Sequence, residues 1–359
     1  MSAAAAPLIL GKGRLEQITP LLDDPKTQDV AVNGPGPGKV YAWQQGRWHR
    51  QDDIQFTLRQ IRETTILAGA LTNQDVGPAD PLVSTRLPVI EHGLRNGKER
   101  YQGCLEPATL QGSGAICIRK GGDDVAPWGS FEDRYRIADH AFEAGKQRRK
   151  RKDLEEPMDY FRSRSPRPFI QSCVRNRLNI LAVGGTGAGK TDFCKMAGTQ
   201  IPPEDRIITI EDVEELQFPM HENWLQLFYS QGGQTVATGL TQNQLLVASM
   251  RMRPSRLIIG ELRDGSGLTY ARASLAHRGS LTTVHGTDCA SGYRQVFALG
   301  KTSADGHSLD SDTLKILLES AVDAIVTFRE QDHEFWIDEI WFVGDAYDRG
   351  TTATQEFLQ

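Results

Sequence analysis

The residues Gly184-Gly185-Thr186-Gly187-Ala188-Gly189-Lys190-Thr191 fit the pattern GxxxxGK[ST]. Glycines let the backbone curl so that successive N–H groups point at phosphate oxygens, with a helix N-terminus behind them. A lysine at the position of Lys190 places a point charge on the β- and γ-phosphates, and the hydroxyl of Thr191 ligates Mg²⁺. An apolar run over 178–183 precedes the loop and a helix-compatible stretch over 192–198 follows it. This is the strand-to-helix setting that the chemistry needs, and it implies a site for a nucleoside triphosphate with its Mg²⁺. No NKxD guanine-reading motif follows, which favours ATP.

Three further strand-like runs end in groups that could act on a phosphate. Arg206-Ile207-Ile208-Thr209-Ile210 leads into Glu211-Asp212. In a parallel sheet the strand C-terminal ends gather beside the phosphate loop, so Glu211 is expected to place the attacking water and Asp212 to help hold it or the metal. An acidic pair also suits a helix start, which is the structural alternative. Arg256-Leu257-Ile258-Ile259 leads into Gly260-Glu261, so glycine stands where the metal-reaching aspartate of such a strand usually sits. Glu261 is then the acid expected to reach Mg²⁺, together with Thr191. Ser280-Leu281-Thr282-Thr283-Val284 ends in His285, which could sense the γ-phosphate or serve a structural role.

These groups need elements to position them. From residue 167 onward apolar β-rich runs (178–183, 207–210, 257–259, 281–284, 324–328) alternate with helical segments, the pattern of a parallel sheet covered by helices. Before residue 122 the chain reads as a smaller α+β unit. Helices are expected over 15–22 and 56–71, and strands over 30–32, 40–43, 83–87, 101–105 and 115–118. The expected fold is thus α/β, a RecA-like P-loop domain (167–359) preceded by an α+β domain (1–122) and a charged linker (123–166). The linker carries the basic run Lys146-Gln147-Arg148-Arg149-Lys150-Arg151-Lys152, read as a solvated face or, alternatively, an anchor for anionic lipid or nucleic-acid phosphate.

A chain of 359 residues with 39% hydrophobic and 24% charged residues can bury a sizeable core. The net charge of −5 gives no overall attraction for nucleic acid, and no stable sequence-specific nucleic-acid binding is expected. No apolar run approaches the roughly 18 residues that span a bilayer. The 5 dispersed cysteines form no CxxC pair, which reads as reduced thiols in a cytoplasmic protein without a zinc site.

The phosphate loop, the acidic box 210–216, the strand 257–263 and the histidine box 279–285, in that order, resemble the secretion (traffic) ATPases of type II and type IV secretion systems and type IV pili. Met250-Arg251-Met252-Arg253-Pro254-Ser255-Arg256, Leu227-Phe228-Tyr229, Leu21-Leu22-Asp23-Asp24-Pro25 and Val30-Ala31-Val32-Asn33 look like the type IV secretion branch, and the tetracysteine insert of type II assembly ATPases is absent. The resemblance implies a homohexameric ring, inner-membrane partners in a secretion apparatus, and peripheral association with the inner face of the inner membrane. It also implies ATP at an interdomain junction, with arginines reaching it from outside the P-loop domain. Arg100 and Arg119 are the positional matches, and Arg263 is a candidate at a subunit interface. A pilus-assembly motor, a RecA-like nucleic-acid motor and an ATP-gated scaffold are the alternatives.

Overall fold

The computed structural model describes residues 15–87, 99–121, 151–229, 239–263 and 265–358. Its first unit holds six strands: β1 (Thr27–Val32), β2 (Val40–Gln44), β3 (Arg47–Arg50), β4 (Leu82–Arg86), β5 (Arg100–Leu105) and β6 (Gly114–Arg119). They pair antiparallel in the order β3-β2-β1-β6-β5-β4. Because successive side chains of a strand point to opposite faces, the sheet feeds two cores. Val30, Val32, Tyr101, Ile116 and Ile118 pack with Ile61, Leu67 and Ala68 of the helix Leu58–Ala70. The alternate positions Ala31, Cys104, Ala115 and Cys117 join the core of the second unit. The helix starts at a capping box: the Thr57 hydroxyl accepts from Gln60 N at 3.2 Å, and Gln60 Oε1 accepts from Thr57 N at 2.8 Å.

The second unit is built on β7 (Ile180–Gly184), β8 (Ile207–Glu211), β9 (Trp224–Phe228), β10 (Arg256–Ile259), β11 (Leu281–His285), β12 (Ala324–Gln331) and β13 (Glu334–Phe342). The order is β13-β12-β7-β11-β10-β8-β9, with β13 antiparallel to β12 and every other pair parallel. This is an α/β fold with a parallel-rich sheet, and the five strands expected from the sequence fall on β7, β8, β10, β11 and β12. Strands β9 and β13 were not anticipated as strands. The first six residues of β13 are exposed, so they lack the buried alternation by which a strand is read.

The charged segment also departs from expectation near its end. Residues expected to continue as linker to 166 form the short turn Lys152–Leu154 and the helix Glu155–Arg162, followed by the helix Pro166–Arg175. Leu154 and Met158 are buried in the core of the second unit. Phe161 packs against Phe169 at 5.5 Å and against Phe342 at 5.6 Å between ring centroids. Leu154, Met158 and Phe161 recur at helical spacing, a stripe hidden among charged neighbours that face outward. The greater part of the basic run, residues 146–150, lies outside the described residues.

The two units meet around the start of β8, β9 and β10, the edge opposite the phosphate loop, and also along β9, where Phe228 N donates to the Ala108 carbonyl at 2.9 Å. Asp29, fully buried, accepts from Arg119 Nε at 2.7 Å and from the Arg253 guanidinium at 2.7 Å. Arg253 lies 4.2 Å from the ring centre of Trp43, and Arg206 lies 5.2 Å from that of Trp48. Asn33 Nδ2 donates to Asn223 Oδ1 at 2.8 Å, and the Tyr41 hydroxyl donates to the Glu222 carbonyl at 2.8 Å. Asp29→Ala should therefore lower unfolding stability by about 3 kcal/mol, since it leaves two partly buried guanidinium groups without their shared carboxylate. Urea denaturation would measure this, and an unchanged midpoint would mean that the cluster adds nothing to the junction.

Candidate active site

Parallel pairing brings the expected site to one edge of the second sheet. His285 lies opposite Gly184 across the β11–β7 pair, and Ile259 lies opposite both Ile210 and Thr282. The ends of β7, β11, β10 and β8 are thus neighbours in that order. The loop itself turns through two glycines in the left-handed region, Gly187 at φ 78° and Gly189 at φ 85°, where a side chain would be strained. Gly185, Thr186 and Gly187 are exposed, while Ala188 and Lys190 are buried. The Lys190 ammonium donates to the carbonyls of Gly184 at 2.8 Å and Gly185 at 2.7 Å. Burial lowers its pKa, against the opposing pull of Glu261. Thr191 sits in the first turn of the helix Lys190–Gly198, whose free N–H groups and dipole suit phosphate.

Glu211 is the most perturbed acid of this edge. It is buried at the end of β8, where its Oε1 accepts from the amides of Glu215 at 3.1 Å and Leu216 at 2.7 Å. Its Oε2 is buried with no hydrogen-bond partner among the described residues. Burial pushes the carboxyl up to about 7, with Glu215 and Glu214 adding to the effect and the two amides opposing it. Gly260 lies alongside: a Cβ there would stand 3.4 Å from Glu211 Cγ. A small residue at that position leaves room for the glutamate of the neighbouring strand.

Glu261 anchors a chain of charges. Its Oε2 accepts from Arg263 Nε at 2.6 Å, and its Oε1 lies 2.6 Å from His285 Nε2. Arg263 also reaches Asp212 Oδ2 at 3.3 Å. The structure thereby joins four residues singled out in the sequence, Asp212, Arg263, Glu261 and His285. It adds Gln242, which sequence reasoning missed. The Gln242 side-chain amide donates to the Glu261 carbonyl at 2.6 Å and to the Tyr229 hydroxyl at 3.3 Å, and its Oε1 accepts from Arg263 N at 3.1 Å. Gln242 begins a helix after a capping box at Thr241, and such a position carries no local sign of a site.

The donor set suits Mg²⁺ that arrives with the nucleotide. Mg²⁺ is held by one or two protein groups plus phosphates and waters rather than by an all-protein cage. Among the described residues no three His, Cys, Asp or Glu side chains cluster as a metal site. Thr191, in the first turn of the helix, is a group that could hold the ion, and Glu261, bonded by Arg263 and beside His285, is one that could act through water.

Arg100 and Arg119 do not join this edge within the chain. They face each other across β5 and β6, and Arg119 is bound through Asp29 to Arg253. Arg253 precedes β10, so both arginines stand towards the opposite end of the second sheet from the phosphate loop.

Comparison with known proteins agrees with this architecture. A family model described as "Type II/IV secretion system protein" matches residues 161–331. The chain is 36% identical to Protein VirB11 of Rhizobium radiobacter over 94% of this chain and 95% of that protein. It is 28% identical to the type IV secretion system protein VirB11 of Bartonella henselae over 92% of each. The crystal structure of the VirB11 ATPase from the Brucella suis type IV secretion system, solved with sulphate, superposes with a TM-score of 0.83. It shares 25% identity and covers 99% of each chain. Among the described residues no helix is long and apolar enough to cross a membrane. With its phosphate loop, acidic strand ends and histidine gathered on one sheet edge, the chain belongs to the VirB11 family of type IV secretion ATPases.

Proposed function

We propose that this chain hydrolyses ATP as a homohexameric ring that energises a type IV secretion apparatus. It would work at the inner face of the inner membrane beside that apparatus's membrane components, moving DNA or protein or building a pilus. The observation that carries the reading is the convergence of the phosphate loop, the buried Glu211 and the Glu261–Arg263–His285 cluster on one edge.

In this reading Lys190 exchanges its two loop carbonyls for β- and γ-phosphate oxygens. Glu211, whose unpaired Oε2 is free to accept a hydrogen bond, orients a water toward the γ-phosphorus and takes its proton as the P–O bond to ADP breaks. Mg²⁺, when bound with the nucleotide, neutralises charge that builds on the bridging oxygens. His285 and Arg263 tie Glu261 to the loops that flank the γ-phosphate, so loss of that phosphate would be felt at three strand ends together. Arg100 and Arg119 act on a neighbouring copy, because their positions in this chain lie away from its own loop. In this reading the chain is two working units, 1–122 and 167–359, with the helix Glu155–Arg162 of the charged segment 123–166 packed on the second.

Lys190→Ala should abolish phosphate release, and Glu211→Gln should retain ATP binding while losing at least about 100-fold in turnover. A Glu211→Gln variant with wild-type turnover would remove Glu211 from the mechanism.

A pH profile gives an independent check. Glu211 must be ionised to accept the proton, and its carboxyl is raised to about 7. The rate should therefore climb between about pH 6 and 8 and level off above. A rate that is flat over this interval would contradict the assignment.

Mixing inactive chains tests the ring. If Arg119 acts across an interface, equal amounts of Lys190→Ala and Arg119→Ala chains should recover up to about a quarter of the sites. An Arg119→Ala chain with wild-type activity, or a mixture that stays inactive, would place the arginine outside the neighbour's site.

A further inference from the structure

Past the end of β10 the chain runs through Gly260, Glu261, Leu262 and Arg263 without helix or strand geometry. Yet this turn has to hold the charges of Glu261 and Arg263 at the phosphate edge. Neighbouring strands steady part of it: Gly260 N donates to the Ile210 carbonyl at 3.0 Å, and Leu262 N donates to the Thr283 carbonyl at 2.9 Å. The Glu261 carbonyl and the Arg263 amide are met instead by one side chain, that of Gln242.

Gln242 is buried, and its side chain leaves from a fixed point. It opens the helix Gln242–Met250. The Thr241 hydroxyl accepts from Gln244 N at 3.3 Å, and Gln244 Oε1 accepts from Thr241 N at 2.8 Å, which sets where that helix begins. Gln242 Nε2 donates to the Glu261 carbonyl at 2.6 Å, while Oε1 accepts from Arg263 N at 3.1 Å. A carboxamide carries the donor and the acceptor of a peptide group, so this side chain acts on the turn as a strand neighbour would. Nε2 also donates to the Tyr229 hydroxyl at 3.3 Å. Tyr229 is buried just past β9, and its own N donates to the Glu211 carbonyl at 3.0 Å. One side chain thus joins the turn that carries Glu261 and Arg263 to the residue that braces the end of β8 at Glu211.

We propose that Gln242 is a positioning residue for hydrolysis, acting through Glu261 and Arg263, with Tyr229 orienting its carboxamide. This role rests on the ATP-hydrolysis reading of the site and deepens it by naming what holds those two charges in place. Buried backbone groups left unpaired are costly, so without the carboxamide the turn shifts until its carbonyl and amide find other partners. Both charged side chains shift with it. The phosphate loop, which binds nucleotide through its own N–H groups and Lys190, stays where it is. Gln242 therefore acts on turnover and not on nucleotide affinity.

Gln242→Met keeps the length of the side chain and removes both backbone bonds. In the full chain with Mg²⁺ it should lower kcat for ATP about ten- to a hundredfold, the scale on which a small misplacement of a reacting group costs rate. The Kd for ADP, read by equilibrium titration, should stay within about twofold, because ground-state binding is untouched. Combined with Arg263→Ala, the two losses in kcat should fall well short of multiplying, since both act on one turn. Gln242→Asn, one methylene too short to span both backbone groups, should show the same split and covers the case in which the methionine variant fails to fold. Wild-type kcat in either variant would overturn the proposal. So would equal losses of kcat and ADP affinity, or losses that multiply fully, by leaving Gln242 a general support of the fold. Turnover that survives Lys190→Ala would instead overturn the hydrolysis reading, and this role with it.

Discussion

Parallel pairing of β7, β11, β10 and β8 is the constraint on which the remainder of the site depends. Parallel strands start at one edge and end at the other, so whatever follows each strand arrives at the same edge. Here the arrivals are a glycine-rich turn, a histidine, a glutamate two residues past its strand, and a second glutamate at the end of its own. A one-place shift in any pair would move its terminal group out of the cluster and turn its apolar residues towards the opposite face. The buried runs on β7, β8 and β10 oppose such a shift, because nearly every residue in them is covered on both sides.

The electrostatics follow from that convergence. Two glutamates lie at or just past the ends of adjacent strands, and their surroundings differ. Glu261 meets the Arg263 guanidinium, with the His285 imidazole beside it. Glu211 meets backbone amides on one oxygen and, among the described residues, no partner on the other, and burial raises its pKa towards neutrality. Burial thus singles out Glu211 as the acid of this edge whose proton exchange is brought near pH 7. Gln242 holds the backbone of Glu261 and Arg263 together.

The first unit is tied to the opposite edge by a different kind of contact. Its sheet presents small residues on the covered face, Ala31, Ala115 and Cys117 among them, so the two units approach closely. Around this apolar patch Asp29 gathers Arg119 and Arg253 while Trp43 and Trp48 cover arginine planes. The junction thus combines burial with charge pairing, and Phe228 N at the end of β9 donates to the Ala108 carbonyl of the first unit at 2.9 Å.

How much of this was legible from the chain alone divides along the range of the forces involved. The glycine-rich loop 184–191 was legible, because its pattern is a contiguous backbone turn whose glycines, lysine and threonine have fixed local roles. The sequence by itself determined the parallel sheet as well, because runs buried on both faces are written as short unbroken apolar stretches, and it placed Glu211, Glu261 and His285 at their ends. The helix Glu155–Arg162 was hidden, since its buried stripe lies within a segment whose composition is dominated by charge. So was β13, whose outer half is exposed. Only the tertiary structure decided that Gln242 joins the site, that Arg263 bridges Asp212 to Glu261, and that Asp29 holds Arg119 away from the loop. These are contacts between segments distant along the chain or between side chains whose directions the fold must first set. No spacing along the sequence encodes them, because they arise from packing after the sheet has formed.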